Sequence, residues 1–211
     1  DMKVLIGDLS EAQCPAKLVD DALKAFGGLD AVVSNAGITS PAPLIDLSVS
    51  KWDKLLNVNT RATLLLAQAA YPALKESKGA LVAVASMSGM GAHPGMGAYS
   101  PSKAALISLC QVLAQEWACD GINVNTVSPG MIRTPLTQKV YENNQIAKER
   151  AALVPWGRVG NPEDISNVIS FLLSPEANYI TGQNILVDGG FVDSLYRHIP
   201  GLPDSSEIDK T

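Results

Sequence analysis

The segment Ala80-Leu81-Val82-Ala83-Val84-Ala85 is an unbroken apolar run that ends at Ser86. It is too short for a helix of average length and has no polar face, which is typical of a strand buried on both faces of a parallel sheet. Similar short runs lie on either side of it, separated by longer stretches of helical period. The sequence therefore predicts an α/β fold built on a doubly wound parallel sheet.

Four other short apolar runs complete the predicted set of strands. They cover residues 3–6, 31–34, 122–127 and 184–187. Helices are predicted before the pair Gly27-Gly28, over residues 49–77, over residues 99–118, and from the capping sequence Asn161-Pro162-Glu163-Asp164 onward. The almost wholly apolar middle of the second helix, residues 62–70, should face the sheet or a partner subunit. We expect one domain over residues 1–200, followed by a polar tail over residues 201–211.

Composition narrows the class of protein. The chain has 211 residues, 46% of them hydrophobic, with a net charge of −5. This balance supplies no basic field for nucleic acid or an anionic membrane surface. The odd number of cysteines, three, without paired metal-ligand spacing argues against a disulfide framework or a metal site. With no membrane span or signal pattern in the sequence, we expect a cytoplasmic protein with no membrane partner.

The first candidate for chemistry is the pair Tyr99 and Lys103. Residues four apart share one helical face, so the side chains can meet. A nearby cation stabilises a phenolate and lowers its pKa, which would suit the tyrosine for general acid-base catalysis. Taken alone, the pair could equally be an ordinary contact on a helix surface.

Three loops place further polar groups at the carboxyl ends of predicted strands, the edge where open α/β sheets bind ligands. Ser86 follows residues 80–85 and could orient a substrate oxygen, or simply cap a turn. Asn35-Ala36-Gly37 follows residues 31–34, and its glycine permits close approach to a ligand, although a plain turn explains it as well. Ser128-Pro129-Gly130 follows residues 122–127. The three loops together predict a single crevice.

In combination these pieces resemble the short-chain dehydrogenase/reductase family, from about Asp8 to Gly190. The match comprises Asp8-Leu9 after the first strand, Asn35-Ala36-Gly37, Val58-Asn59, Ser86, Tyr99 with Lys103, Pro129-Gly130, Gly157-Arg158-x-Gly160-x-Pro162-Glu163-Asp164, Tyr179-Ile180-Thr181-Gly182-Gln183 and Val187-Asp188-Gly189-Gly190. The family has a Rossmann-like sheet and transfers hydride between NAD or NADP and a small alcohol or ketone. The resemblance implies a carbonyl reductase or alcohol dehydrogenase that forms a homo-oligomer, either a dimer or a tetramer.

The resemblance also implies roles for the matched residues. Tyr99 would be the acid/base, Lys103 would lower its pKa and bind the nicotinamide ribose, and Ser86 would hold the substrate oxygen. Asn59 would anchor a water that passes protons to Lys103. Cofactor contacts would come from Asp8 and Leu9 at the adenine, Asn35, Ala36, Gly37 and Val58 at the adenosine ribose, and Pro129, Gly130, Ile132 and Thr134 around the nicotinamide.

Several residues stay ambiguous at this level. His93 could line the substrate pocket or simply be solvated. Trp156 and residues 136–154 fall in the segment that covers the substrate in the family. Arg158 is interpreted as structural. The substrate itself could be a sugar, a steroid, an acyl thioester or a small ketone.

The family's opening loop, Thr-Gly-x-x-x-Gly-x-Gly, has no counterpart in the sequence. In the family that loop places the cofactor pyrophosphate at a helix N-terminus, and the strand after it distinguishes NAD from NADP. Because neither is found here, the sequence does not indicate whether NAD or NADP is preferred. Because the expected strand order is 3-2-1-4-5-6-7, residues 3–6 would lose their neighbours. Either this outer strand slides in beside a new neighbour, or a long unpaired edge is exposed. We expect an N-terminal segment lost by cleavage, with or without retention in trans, or a collapsed sheet with a disrupted nucleotide site.

Two functions from different classes follow. The first is an NAD(P)-dependent oxidoreductase that interconverts a secondary alcohol and a ketone, because Asn59, Ser86, Tyr99 and Lys103 are all present. The second is a truncated, non-catalytic chain that dimerises with, or regulates, longer relatives. Binding of a nicotinamide cofactor by the polypeptide itself discriminates them.

Overall fold

Four parallel strands form one sheet in the computed structural model, which describes residues 2–200. They are β1 (Ala31–Ser34), β2 (Ala80–Val84), β3 (Asn123–Pro129) and β4 (Asn184–Val187), in the spatial order β1-β2-β3-β4. At the centre of the sheet, Val82 is paired with Val33 on one side and with Asn125 on the other. The predicted parallel α/β fold is confirmed.

Seven α-helices are described within residues 2–200. They are α1 (Cys14–Phe26), α2 (Val49–Leu56), α3 (Ala62–Ser77), α4 (Tyr99–Trp117), α5 (Gln138–Tyr141), α6 (Asn144–Leu153) and α7 (Pro162–Leu172). Of these, α1, α3, α4 and α7 pack on the sheet. Throughout this part of the chain, every helix is either too short or too polar to span a bilayer.

Both faces of the sheet are covered because the side chains of β2 alternate. Leu81 and Ala83 point into a core made with α1, α3 and α4. Val82 points the other way, into a second core with Ile165 and Leu172 of α7. The pleat sends successive side chains to opposite faces, so an all-apolar strand requires helices on both. The doubly wound arrangement follows from this one strand.

The helix ends largely match the sequence signals. Gly27 ends α1 at φ 79°, a left-handed conformation that glycine adopts without strain. Asn161 and Asp164 form a capping box at the start of α7. The helix predicted over residues 49–77 is instead interrupted by a π-helical turn, Asn57–Arg61, between α2 and α3.

The strand predicted over residues 3–6 is wrong. That segment is not a strand, and the side chains of Val4 and Ile6 are exposed. A strand needs a neighbour to take its backbone hydrogen bonds, and among the described residues β1 pairs on only one side, with β2. The outer strand does not slide inward; the edge of β1 is left unpaired and Val33 is 42% exposed. The predicted tail, 201–211, lies outside the described residues.

Truncation of Leu81 tests the two-faced core. Leu81 is fully buried at the centre of β2, so Leu81→Ala should lower the free energy of unfolding by about 2–5 kcal/mol through the cavity it leaves. Urea denaturation measures this, with the exposed Leu195→Ala as control. A change under about 1 kcal/mol for Leu81→Ala would contradict the assigned packing.

Candidate active site

Three of the candidate catalytic side chains meet at the carboxyl end of β2. Ser86 lies just beyond that strand and is buried, and Tyr99 is the first residue of α4. One turn further along α4, Lys103 reaches back to the strand and its Nζ donates to the Val84 carbonyl at 2.7 Å. The Lys103 Nζ lies 6.0 Å from the centroid of the Tyr99 ring. The first turn of α4 therefore places a phenol and an amine together at the carboxyl end of β2, as the spacing predicted.

The Lys103 amine occupies an unusually dry position. The residue is only 3% exposed, and burial lowers the pKa of its ammonium from 10.5 to about 8. An ammonium has three N–H donors, and the Val84 carbonyl takes one. Two donors are left for hydroxyl groups of a ligand.

The pKa of Tyr99 is shifted in the opposite direction to the sequence expectation. Burial raises it above 10, and a hydrogen bond with the Ser86 hydroxyl partly offsets this increase. Lys103 is not a cause of the shift, because its ammonium is directed to the Val84 carbonyl rather than to the phenol oxygen. The tyrosine of this site is therefore a protonated phenol at neutral pH.

Asn59 lies in the π-helical turn and ties two loops together. Its Oδ1 accepts a hydrogen bond from the backbone N–H of Ile38 at 2.8 Å. Its Nδ2 donates to the Ile38 carbonyl and to the Ser102 hydroxyl, both at 3.0 Å. The side chain is buried and directed to Ile38 and α4 by these three bonds. The structure thus gives Asn59 a positioning role; the water relay implied for it stays a prediction.

The loop Asn35-Ala36-Gly37 follows β1 and is exposed to solvent. A Cβ added to Gly37 would lie 3.3 Å from Lys103 Nζ and 3.5 Å from Asn59 Oδ1. The glycine keeps open the space beside the amine, which a Cβ would crowd. Val58, in the adjacent turn, is buried.

The loop after β3 forms another wall at the same sheet edge. Gly130 donates its N–H to the Val187 carbonyl at 3.0 Å. Thr137 fixes the loop that follows: its Oγ1 donates to the Ile132 carbonyl at 2.8 Å and accepts from the Thr134 N–H at 2.9 Å. The backbone of Gly130 is therefore held by β4, and the backbone of Ile132 and Thr134 by the Thr137 hydroxyl.

Asp8 and Leu9 are attached to the site only indirectly. Asp8 is in an exposed turn, where its Oδ1 accepts from the Ser10 N–H at 2.8 Å. This bond lowers the pKa of the carboxyl group. Arg61, at the end of the π turn, donates to the Ser10 carbonyl at 2.6 Å. The structure ties this segment to the turn that carries Asn59 and does not place it beside Tyr99.

Ser88 and Ser102 were missed by the sequence analysis. Ser102 is fully buried and joins Asn59 to the Tyr99 carbonyl, to which its hydroxyl donates at 2.7 Å. The Ser88 N–H donates to Ser86 Oγ at 3.1 Å, and its hydroxyl lies 3.0 Å from His93 Nδ1. The only available signal was proximity in sequence to Tyr99 and Ser86, which does not reveal burial.

His93 and Arg158 occupy different surroundings. His93 lines an open, mainly apolar pocket of about 420 Å³ beside Ser88 and Ser100. Arg158 donates to both oxygens of Asp164, at 2.7 and 2.9 Å, which agrees with a structural role. Trp156 and Arg158 line a separate cavity of about 200 Å³ together with Ile132.

The donor set fits the nicotinamide and ribose end of NAD(P). A buried amine with two free donors suits adjacent ribose hydroxyls, and Gly37 leaves room beside it. Bonds to neighbouring backbone hold the loop 129–134 at the same edge. Within residues 2–200, no stretch has the pattern Thr-Gly-x-x-x-Gly-x-Gly, so the described residues do not include a pyrophosphate loop of that kind.

Comparison with known proteins identifies the family. A family model described as "Enoyl-(Acyl carrier protein) reductase" matches residues 1–192. The 3-oxoacyl-[acyl-carrier-protein] reductase FabG of Thermotoga maritima is 39% identical over 178 residues, which are 83% of this chain and 71% of FabG. Human (3R)-3-hydroxyacyl-CoA dehydrogenase is 38% identical over 186 residues, covering 87% of this chain and 70% of that protein.

A solved structure agrees with these sequence matches. The Pseudomonas aeruginosa RhlG/NADP active-site complex superposes with a TM-score of 0.83 at 31% identity, covering 89% of this chain and 75% of RhlG. The fold, the tyrosine and lysine at the start of α4, and these relatives lead to one assignment. The chain belongs to the short-chain dehydrogenase/reductase family of NAD(P)-dependent oxidoreductases.

Proposed function

We propose that the chain interconverts a secondary alcohol and a ketone, with Tyr99 as the acid/base and with Ser86, Lys103 and Asn59 as its supporting set. The observation that carries the proposal is the meeting of Ser86, Tyr99 and a desolvated Lys103 at the carboxyl end of β2. A phenol beside a hydroxyl and a buried cation is suited to protonating a carbonyl oxygen.

In the direction of reduction, Tyr99 Oη donates its proton to the substrate oxygen as negative charge develops there. The raised pKa of Tyr99 keeps the phenol protonated at neutral pH, so the proton is available at the start. In the direction of oxidation the same oxygen must accept the alcohol proton. The positive charge on Lys103 then favours the phenolate, although the 6.0 Å between Nζ and the ring centroid limits the effect.

Ser86 orients the substrate oxygen. Its Oγ accepts the Ser88 N–H at 3.1 Å, which fixes the side chain, and its O–H, which bonds to Tyr99, would turn to the substrate oxygen when substrate binds. A donor beside the phenol can hold a carbonyl oxygen within reach of the Tyr99 proton.

NAD(P) would be held by Lys103 and the loops around it, and Tyr99 would also contact the cofactor. The contacts proposed are Asp8, Leu9, Asn35, Ala36, Gly37, Val58, Pro129, Gly130, Ile132 and Thr134. When bound, the cofactor supplies or accepts the hydride at the substrate carbon. The chain's own residues supply the position and the proton.

As substrate class we propose 3-oxoacyl thioesters and the corresponding 3-hydroxyacyl thioesters. FabG is named for 3-oxoacyl groups on acyl carrier protein, and the human relative for 3-hydroxyacyl-CoA. Both names describe a substrate with a carbonyl or hydroxyl group, to or from which Tyr99 and Lys103 can transfer a proton.

We also propose a homo-oligomer joined through α3 and α4. The outer face of α4 presents the apolar side chain of Val112, which is 51% exposed. Apolar side chains on a long exposed helix are suited to subunit contact.

Removing the Tyr99 hydroxyl tests the catalytic assignment. Tyr99→Phe should lower kcat for reduction of acetoacetyl-CoA about 10²- to 10⁴-fold, because the proton donor is lost. NADPH oxidation followed by absorbance measures kcat, and the exposed Tyr196→Phe serves as control. If Tyr99→Phe retains wild-type turnover, another acid acts. If the unaltered protein binds neither cofactor, the non-catalytic alternative replaces this proposal.

The lowered pKa of Lys103 predicts a pH dependence of stability. Between about pH 8 and 10.5 the unfolded chain keeps the lysine proton while the folded chain has lost it, so stability rises with pH through this window by at most about 1.4 kcal/mol per unit. Lys103→Met should lose this contribution, while the exposed Lys51→Met should keep it. Urea unfolding at pH 8 and pH 10 measures both; equal pH slopes in wild type and Lys103→Met would show that the amine is not desolvated.

Substitution on α4 tests the oligomer. Val112→Glu places a charge in the proposed interface, and the mass of the particle should fall from a dimer or tetramer toward the 22.2 kDa chain. Light scattering coupled to size exclusion measures the mass. An unchanged oligomer would locate the interface elsewhere.

A further inference from the structure

Tyr141 is buried in the segment that follows the β3 loop, and its hydroxyl is unpartnered. The residue ends α5 and is only 5% exposed. Its Oη has no hydrogen-bond partner among the described residues. Leaving a buried hydroxyl unsatisfied costs free energy, so such a group in a native site points to a ligand or a bound water.

Two arginines lie over the ring of this tyrosine. The guanidinium carbon of Arg133 is 5.4 Å from the ring centroid, and that of Arg150, on α6, is 5.6 Å from it. A guanidinium over an aromatic ring is held in place by the cation–π attraction while its N–H groups stay available. Both guanidiniums are thus held at the same tyrosine ring.

No carboxylate neutralises the pair within residues 2–200. The ion pairs there involve other cations, and neither guanidinium takes part in a hydrogen bond. The acidic neighbour Glu149 instead accepts a hydrogen bond from the Gln145 amide at 2.8 Å. Guanidiniums without a carboxylate partner keep their N–H donors available, so two of them at one ring favour a doubly charged anion nearby.

The position of the pair relates it to the substrate. Arg133 stands between Ile132 and Thr134, in the loop proposed to surround the nicotinamide. Arg150 and Tyr141 lie on the two helices of residues 136–154, the segment expected to cover the substrate. The cations therefore lie on the loop and the covering segment assigned to the site, and they do not belong to its proton-transfer set.

We propose that Arg133 and Arg150, held by Tyr141, bind a phosphate group carried by the part of the substrate remote from its reacting carbonyl. Two guanidiniums match the double negative charge and the several acceptor oxygens of a phosphate monoester. This inference rests on the proposed function and narrows its substrate class to thioesters whose carrier arm bears phosphate.

The test compares 4′-phosphopantetheine with pantetheine, which differ by one phosphate and contain no reacting carbonyl. Calorimetric titration of the NADP-saturated protein should show at least about tenfold tighter binding of the phosphorylated compound. Arg133→Met or Arg150→Met should reduce this preference to about twofold or less. Lys148→Met removes an exposed positive charge from the same helix, α6, and should leave the preference intact.

Other outcomes overturn the inference. Equal affinity of the wild type for the two compounds, or a preference that survives both arginine substitutions, would exclude a phosphate site here. Weaker NADPH binding in the variants, with the phosphate preference retained, would assign the arginines to the cofactor. Because binding requires no turnover, Tyr99→Phe should keep the preference, so a failure of the catalytic proposal is seen separately. Thermal melting confirms that each variant is folded.

Discussion

Lys103 crosses from α4 to the end of β2 and places a cation in a position that is almost closed to water. Taking an ammonium out of water is costly, and here a single carbonyl, that of Val84, compensates for it directly. The neighbouring groups are arranged around this constraint. Gly37 has no side chain to crowd the amine, and the start of α4 carries the phenol one helical turn away. The lowered pKa of Lys103 and the raised pKa of Tyr99 have the same cause, which is burial from water where α4 meets the sheet.

The amide of Asn59 keeps this arrangement fixed. It bonds to both polar backbone groups of Ile38, as a strand neighbour would, and to the Ser102 hydroxyl on α4. The loop after β1 and the first turn of the catalytic helix are thereby joined through one buried side chain. The π-helical turn that presents Asn59 interrupts a helix the periodicity predicts as continuous, and the local loss of regular bonding is offset by these tertiary bonds.

The charge of the surroundings differs between the proton-transfer residues and the segment that contains Tyr141. The proton-transfer residues lie in a buried setting without other charge nearby, whereas Arg133 and Arg150 concentrate positive charge over Tyr141 in a chain of net charge −5. A division of this kind suits a substrate whose reacting carbonyl is uncharged and whose distal part is anionic. Binding energy from the remote group can then position the carbonyl at Tyr99. The loop Asn35-Ala36-Gly37, which follows β1 at the edge of the described sheet, is by contrast exposed to solvent.

The sequence by itself determined the strands that lie between helices, because an all-apolar run such as residues 80–85 can only be buried on both faces. It also determined the Tyr99–Lys103 pair, because residues four apart lie about one helical turn from each other. It could not determine whether residues 3–6 form a strand, since strand formation depends on a neighbour remote in sequence. Only the tertiary structure decided the pKa directions of Tyr99 and Lys103, the bonds of Asn59 and the meeting of Arg133, Tyr141 and Arg150. Burial and long-range contacts are properties of the packed molecule, and the local sequence pattern does not reveal them.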